Sequence, residues 1–156
     1  MTALPAVPEE DLLRLDRHIC FSLHAASRAF DSVYRIVLKD LGLTYPQYLV
    51  MLVLWEHGDL PVKKIGERLR LDSGTLSPLI KRLEAAGRVR RERSAEDERS
   101  VTVRLTEEGA ALREQALEAV PRRILRSSSV TFEELAQLQQ LLGRITTALD
   151  EATASL

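Results

Sequence analysis

Apolar residues recur at steps of three and four over almost thirty residues near the start of the chain. Because an α-helix has 3.6 residues per turn, this spacing places them all on one face. The acidic residues 9–11 suit the start of such a helix, and Gly42 suits its end. The pattern therefore predicts one long amphipathic helix. Its apolar face consists of Leu12, Leu15, Ile19, Leu23, Ala26, Phe30, Val33, Val37 and Leu41.

Three shorter helices are predicted next. The first covers residues 44–57 and opens on a threonine cap followed by Tyr-Pro, and proline is favoured in the first turn of a helix. The second is a short helix over residues 60–69. Asp72 or Ser73 caps the third, because either side chain can accept hydrogen bonds from the free amides of a first turn. Gly87 ends it.

From residue 88 the polarity pattern changes to near alternation. Residues 88–93 and 100–105 alternate, and the charged segment 94–99 separates them, which is typical of a β-hairpin. Two more helices follow. One covers residues 106–126, and we expect its proline to disturb it. The other covers residues 131–151 and opens with a Thr-x-x-Glu capping box.

Together these elements predict a mainly α fold with a small β-hairpin wing, in one domain over residues 1–156. A short helix, a tight turn, a longer helix and a basic hairpin form a winged helix-turn-helix, here a DNA-binding lobe over residues 60–105. The flanking helices, 9–41 and 106–153, carry more apolar surface than one small domain can cover. We therefore expect them to hold a homodimer, which suits a palindromic operator in double-stranded DNA.

The overall composition is that of an ordinary soluble protein. The 156 residues are 45% hydrophobic and 29% charged, and no apolar run reaches the roughly 18 residues that span a bilayer. The first residues show no basic region followed by an apolar stretch, so we expect a cytoplasmic protein without a membrane partner. Because no His or Cys residues have the spacing of metal ligands, we expect no metal and no cofactor.

Charge is unevenly distributed along the chain. Residues 63–104 contain twelve Lys and Arg against seven Asp and Glu, a local net charge of +5. The formal net charge of the chain is −1, which leaves −6 for the remainder. A basic segment on an acidic body indicates a localised surface for binding a polyanion.

The basic segment offers two elements that could contact DNA. The longer helix presents small and hydroxylated residues at its N-terminus, where they can approach base edges and phosphates. In the hairpin, Arg99 can enter an electronegative minor groove, and Asp97 can orient it through a bidentate pair. A capped surface helix with solvated charges and a turn with mutually paired charges are the alternatives. The expected DNA-contact residues are Lys63, Lys64, Ser73, Gly74, Thr75, Ser77, Lys81, Arg82, Arg91, Asp97 and Arg99.

Several stretches match the pattern of a known family. The wing and the start of the next helix match over residues 97–109, and the other matching stretches are residues 19–21, 43–48, 54–57, 62–66 and 71–78. On these residues the chain, from about 12 to 150, resembles the MarR family of transcription regulators. It is most similar to the family's organic hydroperoxide resistance regulators of the one-cysteine type. The resemblance implies a dimeric DNA-binding repressor and no enzymatic activity.

Cys20 is the only cysteine of the chain. A lone cysteine is most often a small buried apolar residue. The resemblance implies instead a peroxide sensor, whose thiolate accepts hydrogen bonds from the hydroxyls of Tyr34 and Tyr45 across the dimer interface. Tyr34 follows Cys20 by 14 residues. Along one helix that separation is about 21 Å, so a Tyr34 that contacts Cys20 must belong to the partner chain.

Thiol chemistry then gives the expected mechanism. The thiolate attacks the O–O bond of an organic hydroperoxide and becomes a sulfenic acid. With no second cysteine, the sulfenic acid can condense with a low-molecular-weight thiol, cyclise with a backbone nitrogen or oxidise further. Each product changes the interface and so the placement of the DNA-binding lobes. His24, one turn after Cys20, either tunes the thiolate through its charge or is simply an interface histidine.

Three alternatives remain open from the sequence. In the first, the repressor is released by a small phenolic or lipophilic ligand, and Cys20 is incidental. In the second, the protein is a thiol peroxidase, although the sequence offers no evident arginine–threonine set for a peroxide oxyanion. In the third, it is an architectural DNA-binding protein, which leaves the cysteine and the tyrosines without a role.

Overall fold

The computed structural model describes residues 8–156, which form six α-helices and one small sheet. Internal contacts divide the chain into two compact units, of which the first ends at Gln115 and the second runs from Ala116 to Leu156. The helices are α1 Ile19–Val37, α2 Tyr45–His57, α3 Val62–Leu69, α4 Ser73–Ala85, α5 Glu107–Ser128 and α6 Phe132–Ala154. The strands are β1 Leu60–Pro61, β2 Val89–Arg93 and β3 Val101–Leu105.

The first predicted helix is shorter than the periodic pattern indicated. Single turns of 3-10 helix occupy Glu9–Asp11 and Leu15–Arg17, and α1 begins only at Ile19. The backbone is extended at Arg14 and at His18, with ψ angles of 129° and 105°, and this interrupts the helical hydrogen bonds. The periodic apolar residues therefore continue across a break in the helix, and Cys20 becomes the second residue of α1.

Polar caps begin three helices where the sequence predicted them. Thr44 and Gln47 form a capping box at α2, Thr131 and Glu134 form one at α6, and Asp72 caps α4 by accepting the amide of Thr75 at 2.7 Å. The left-handed glycine after α4 ends that helix as expected. In each cap the hydrogen-bonding side chain and backbone amide lie three residues apart, so the caps can be predicted from the sequence.

Two other expectations were wrong. Residues 60–61 are not helical: Leu60 pairs with Val103, so β1 adds a third strand to the hairpin in the order β1-β3-β2. A strand of two residues is too short to show the alternation of apolar and polar positions by which strands are recognised in a sequence. In addition, α5 continues through Pro121. Proline removes one helical hydrogen bond, to the carbonyl of Leu117 four residues earlier, and the other hydrogen bonds of the helix suffice to continue it.

The first unit has a continuous apolar core. It is formed by side chains from α2, α3, α4 and the sheet that are less than 2% exposed. Burying such a side chain is worth about 1.5–3 kcal/mol, so this core holds the helix-turn-helix against the sheet. These residues are Val50, Met51, Leu54, Ile65, Leu76, Ile80, Leu83, Val89 and Val103.

A hydrogen-bonded junction joins α2, the end of α4 and the first turn of α5. The indole N–H of Trp55 donates to the carbonyl of Gly109 at 2.9 Å, and the amide of Gly109 donates to the hydroxyl of Thr106 at 3.0 Å. That hydroxyl donates to the carbonyl of Gly87 at 2.6 Å. We call Trp55, Gly87, Arg88, Thr106 and Gly109 the Gly109 junction. It fixes where the longer helix ends and the wing begins.

Gly109→Ala is expected to lower the free energy of unfolding by about 1–3 kcal/mol, measured by thermal or denaturant unfolding. A Cβ at position 109 would overlap the carbonyl oxygen of Arg88, so the backbone of the junction would have to move. The matched control is Gly143→Ala in α6, where, apart from the adjoining residues and the backbone of the same helix, no atom of the described residues lies within 4 Å of an added Cβ. That change should leave stability unchanged or raise it by about 0.5–1 kcal/mol. Equal effects of the two substitutions would contradict the close packing at Gly109.

Candidate nucleic-acid interface and cysteine–tyrosine site

The first turn of α4 is exposed and its cap is charged. Ser73, Gly74 and Thr75 are all exposed. The hydrogen bond from the amide of Thr75 lowers the pKa of Asp72 below its ordinary value, so this carboxylate is ionised while it caps the helix. The small residues of the turn therefore lie at the surface on a fixed backbone, where a base edge or a phosphate could approach them.

The tip of the wing is closed by hydrogen bonds around Asp97. The amide of Arg99 donates to the Asp97 carboxylate at 3.0 Å, and the amide of Ser100 donates to the Asp97 carbonyl at 2.9 Å. We expected Asp97 to hold the guanidinium of Arg99. Its carboxylate instead holds the backbone of Arg99, because the tight loop brings the amide closest. The exposed arginine therefore projects from an ordered turn.

Several predicted DNA-contact residues share one open cleft of about 740 Å³ between α3, the start of α4 and the wing. Lys63, Ser73, Ser77 and Arg99 all line it. The helix-turn-helix and the wing thus present their polar groups to the same space.

Two predicted contact residues already have partners within the protein. The Nζ atom of Lys64 lies 3.0 Å from a carboxylate oxygen of Glu67. Arg91 donates three hydrogen bonds to the Glu84 carboxylate, from its backbone amide at 2.8 Å and from two guanidinium nitrogens at 3.0 and 2.8 Å. These bonds lower the pKa of Glu84 and tie β2 to α4. In the single chain Arg91 braces the wing, and its contact with DNA stays a prediction.

Lys81 and Arg82 are exposed on α4, beyond its first two turns. They do not line the cleft. Their exposure is compatible with a contact to a DNA backbone, and the prediction for them stays a prediction.

Cys20 is exposed and lies in the first turn of α1. His24, one turn further on, is exposed as well. The cysteine is therefore accessible to a reagent in the single chain.

Tyr34, Tyr45 and Tyr48 form an aromatic cluster between α1 and α2. The ring centroids of Tyr34 and Tyr45 are 4.5 Å apart, and those of Tyr34 and Tyr48 are 6.0 Å apart. Burial, followed by the proximity of Tyr45, raises the pKa of Tyr34 to about 12. Burial also raises the pKa of Tyr45. Both hydroxyls are therefore protonated at neutral pH and can donate a hydrogen bond.

Cys20 and Tyr34 lie in the same unbroken helix, α1. The 14 intervening steps separate them by about 21 Å along the helix axis. A single chain consequently brings the two tyrosines together but holds Tyr34 away from Cys20.

Comparison with known proteins identifies the family. A family model described as transcriptional regulator SarA/Rot matches residues 32–115. The organic hydroperoxide resistance transcriptional regulator of Bacillus subtilis is 50% identical over 132 residues, which cover 85% of this chain and 89% of that protein. The MarR protein of E. coli is 25% identical, with a TM-score of 0.65 over 82% of this chain and 96% of that one. The chain belongs to the MarR family of transcriptional regulators.

A second MarR-like structure is nearer in sequence. AbfR, known from Staphylococcus epidermidis, has been solved in its reduced form bound to DNA. This complex has a TM-score of 0.77 and 37% sequence identity, and the match covers 90% of this chain and 97% of AbfR. The predicted winged-helix fold and the predicted MarR resemblance are thus confirmed.

Two further findings concern residues 8–156. No helix in this range is long and apolar enough to cross a membrane. Nor does the range contain a group of three or more His, Cys, Asp or Glu residues that could hold a metal ion.

Sequence reasoning on this MarR-family chain missed two residues near the candidate sites. Tyr48 belongs to the aromatic cluster, and its ring also meets that of Trp55 with centroids 6.2 Å apart. Its position one turn after Tyr45 on α2 was the available signal. Arg70 lines the cleft as well. Its backbone is left-handed, with a φ of 57°, and the sequence gave no sign of this conformation.

Proposed function

We propose that this protein is a homodimeric repressor that binds a palindromic DNA operator and releases it when an organic hydroperoxide oxidises Cys20. One observation carries the proposal. The only cysteine is exposed in a helical first turn, in a chain that is 50% identical to an organic hydroperoxide resistance regulator. The related AbfR, solved on DNA, adds support for a DNA partner.

DNA binding is supported by the shape and charge of the winged helix-turn-helix. The first turn of α4 offers exposed hydroxyls and amides to the major groove. Arg99 projects from a tip held by two backbone hydrogen bonds, so a guanidinium can enter a narrow minor groove without ordering a loop first. The two elements together would read one half-site, and a second protomer would read the other.

A dimer is supported by the apolar surface that a single chain leaves in water. Within the described chain, α6 buries none of its 23 residues, although Leu138 and Leu149 are 47% and 61% exposed. Ile19 and Ile36 of α1 are 60% and 71% exposed. Such faces normally mark an interface. The apolar residues of α6 that alternate at steps of three and four are Leu135, Leu138, Leu142, Ile145 and Leu149.

The proposed sensor combines groups from both protomers. Cys20 of one chain faces Tyr34 and Tyr45 of its partner, whose protonated hydroxyls donate to the thiolate. The thiolate sulfur attacks the terminal oxygen of the hydroperoxide, and the O–O bond breaks. The alkoxide that leaves takes up a proton and departs as an alcohol, while the sulfur is oxidised to a sulfenic acid. The new oxygen displaces the tyrosine hydroxyls and shifts the preferred arrangement of the two lobes.

Later steps depend on the absence of a second cysteine in the sequence. The sulfenic acid condenses with a low-molecular-weight thiol with loss of water, cyclises with a backbone nitrogen or is oxidised further. Only the mixed disulfide and the cyclic product are reversible by thiols. Sustained hydroperoxide would therefore convert a reversible switch into permanent release.

Cys20→Ser is expected to abolish hydroperoxide-induced release while preserving operator affinity, because the substitution removes the oxidisable sulfur and leaves the winged helix unchanged. The measurement is a gel-shift titration with a duplex selected from a random-sequence pool by the wild-type protein, with and without a lipid hydroperoxide. Both proteins should sediment as dimers at micromolar concentration. Release of the Cys20→Ser protein by hydroperoxide would contradict the proposal. Release of both proteins by a phenolic ligand, with no effect of hydroperoxide, would support the ligand-responsive repressor instead.

A further inference from the structure

The wing is fastened to α4 through Arg91 of β2. In the strand order β1-β3-β2 this strand lies at an edge of the sheet, where outward-facing amides have no strand partner. The amide of Arg91 donates to one carboxylate oxygen of Glu84 at 2.8 Å, and two guanidinium nitrogens donate to the other oxygen at 3.0 and 2.8 Å. We call these three hydrogen bonds the Glu84 clamp. One carboxylate thus holds both the backbone and the side chain of Arg91.

The Glu84 clamp joins the two elements that we expect to contact DNA. Glu84 lies in the last turn of α4, and the exposed residues 73–75 lie in the first turn of the same helix. Arg91 pairs with Val103 in the middle of the hairpin that carries Arg99 in its loop. A rotation of the hairpin about its base would change the distance between Arg99 and the first turn of α4. The clamp resists that rotation.

Charge and position give Glu84 opposite expected effects on DNA binding. As a negative charge in a DNA-binding lobe it repels phosphates, and it occupies the guanidinium of Arg91, which a phosphate would otherwise attract. By charge alone, its removal would tighten binding. A wing that is held in place before binding, however, loses less conformational freedom when DNA binds, so its contacts contribute more to affinity. By position, removal of Glu84 weakens binding.

We infer that Glu84 is a positioning residue for DNA binding: through Arg91 it holds the wing at the distance from α4 at which both elements reach one duplex. The inference rests on the proposed function. The side chains of Glu84 and Arg91 are 34% and 35% exposed, so solvent screens this pair less than a pair at the open surface. Three hydrogen bonds to one ionised group also fix its geometry more closely than a single ion pair does.

Glu84→Ala is expected to weaken binding to the selected duplex roughly three- to tenfold, although the substitution removes a negative charge. The core side chains of the first unit are unchanged, so the melting temperature should fall by less than about 5 °C. Glu84→Gln keeps the length of the side chain and an acceptor for the amide of Arg91. Its affinity should therefore lie between those of Glu84→Ala and the wild type. Fluorescence anisotropy measures all three affinities.

Two controls separate position from charge. Glu92→Ala removes a carboxylate from the wing itself, where it lies 3.0 Å from the Nε atom of Arg104 in the same sheet. This variant should bind the selected duplex at least as tightly as the wild type. On a duplex of scrambled sequence, Glu84→Ala should also bind at least as tightly as the wild type, because non-specific binding follows charge. Equal weakening on both duplexes would show general damage to the lobe and would overturn the inference.

The double variant with Arg99→Ala shows whether Glu84 acts through the wing. In a protein without the guanidinium of Arg99, the position of the wing matters less, so adding Glu84→Ala should lower affinity by no more than about twofold. A loss as large as in the wild-type background would mean that Glu84 acts by another route, and would overturn the inference.

Hydrogen exchange of the Arg91 amide, measured without DNA, reports on the Glu84 clamp itself and should become faster in Glu84→Ala. If exchange becomes faster while affinity for the selected duplex is unchanged or higher, the inference is overturned and the proposed function stands. An unchanged exchange rate would show that the clamp does not hold the wing, and would overturn the inference as well. If the wild type selects no duplex from the pool, the proposed function and the inference fall together.

Discussion

Tyr34→Phe is expected to slow the oxidation of Cys20 by about tenfold or more while leaving the DNA affinity of the reduced protein nearly unchanged. The substitution removes one of the hydroxyls that we propose as donors to the thiolate, and a hydrogen bond to a charged group is worth about 1.5–3 kcal/mol. The thiolate population should fall by a corresponding factor. The ring of Tyr34 stacks on that of Tyr45 with centroids 4.5 Å apart, and phenylalanine retains this packing. Stopped-flow oxidation by a lipid hydroperoxide measures the rate.

Tyr48→Phe is the matched control for this measurement. Its ring belongs to the same aromatic cluster, 6.0 Å from that of Tyr34, but the proposed sensor does not use its hydroxyl. Tyr45→Phe should slow oxidation as Tyr34→Phe does. Equal rates for Tyr34→Phe, Tyr48→Phe and the wild type would contradict the cysteine–tyrosine sensor.

Mixed dimers test whether the tyrosine comes from the partner. In a dimer of a Cys20→Ser protomer and a Tyr34→Phe protomer, the only cysteine faces an unaltered Tyr34 across the interface, so oxidation should proceed at the wild-type rate. When one protomer carries both substitutions and its partner none, the only cysteine faces the phenylalanine, and oxidation should be slow. The two dimers can be purified by means of different affinity tags on their protomers. Equal rates would rule out a sensor shared between protomers.

Arg99→Ala is expected to weaken operator binding by roughly ten- to hundredfold, and to make its salt dependence shallower by about 1. The substitution removes the cation that we place in the minor groove, together with the counterion released on binding. The loop itself should persist, since Asp97 holds the backbone of residue 99 and not its guanidinium. Fluorescence anisotropy with the selected duplex at several salt concentrations gives both quantities.

Arg104→Ala is the control within the same wing. The Nε atom of Arg104 lies 3.0 Å from a carboxylate oxygen of Glu92 and 3.5 Å from one of Asp59, so its charge is offset within the protein. Its loss should change operator affinity much less than the loss of Arg99. If Arg99→Ala binds as tightly as the wild type at every salt concentration, the wing does not engage DNA.

Local signals in the sequence predicted most of the first unit correctly. Each helix cap depends on hydrogen bonds or backbone angles within a few residues. The bounds of α2 and α4 could therefore be predicted from Thr44, from Asp72 and from the glycine after α4. Periodicity was less reliable near the N-terminus. The apolar spacing persists through the 3-10 turns before Ile19, because a pattern of apolar positions does not report the extended residues at Arg14 and His18.

Features that depend on distant residues could not be predicted. Trp55 and Gly109 are 54 residues apart, and their hydrogen bond follows only from the packed fold. The pairing of Arg91 with Glu84 likewise joins a strand to a helix, so the sequence showed a basic wing without showing which cations were engaged. For the proposed redox site, the resemblance supplied the candidate residues, while the separation of Cys20 from Tyr34 depends on α1 being continuous between them.

The Gly109 junction also gives the protein a built-in optical probe. Trp55 is the only tryptophan of the chain, and its indole N–H is held by the carbonyl of Gly109. The ring of Tyr48 meets it with centroids 6.2 Å apart, and the rings of Tyr34 and Tyr45 lie next in line. Tyrosines at such short range transfer their excitation energy to tryptophan. Light absorbed by the tyrosine cluster is therefore emitted from Trp55, where α2 meets the first turn of α5. The fluorescence of the unlabelled protein thus reports on that contact.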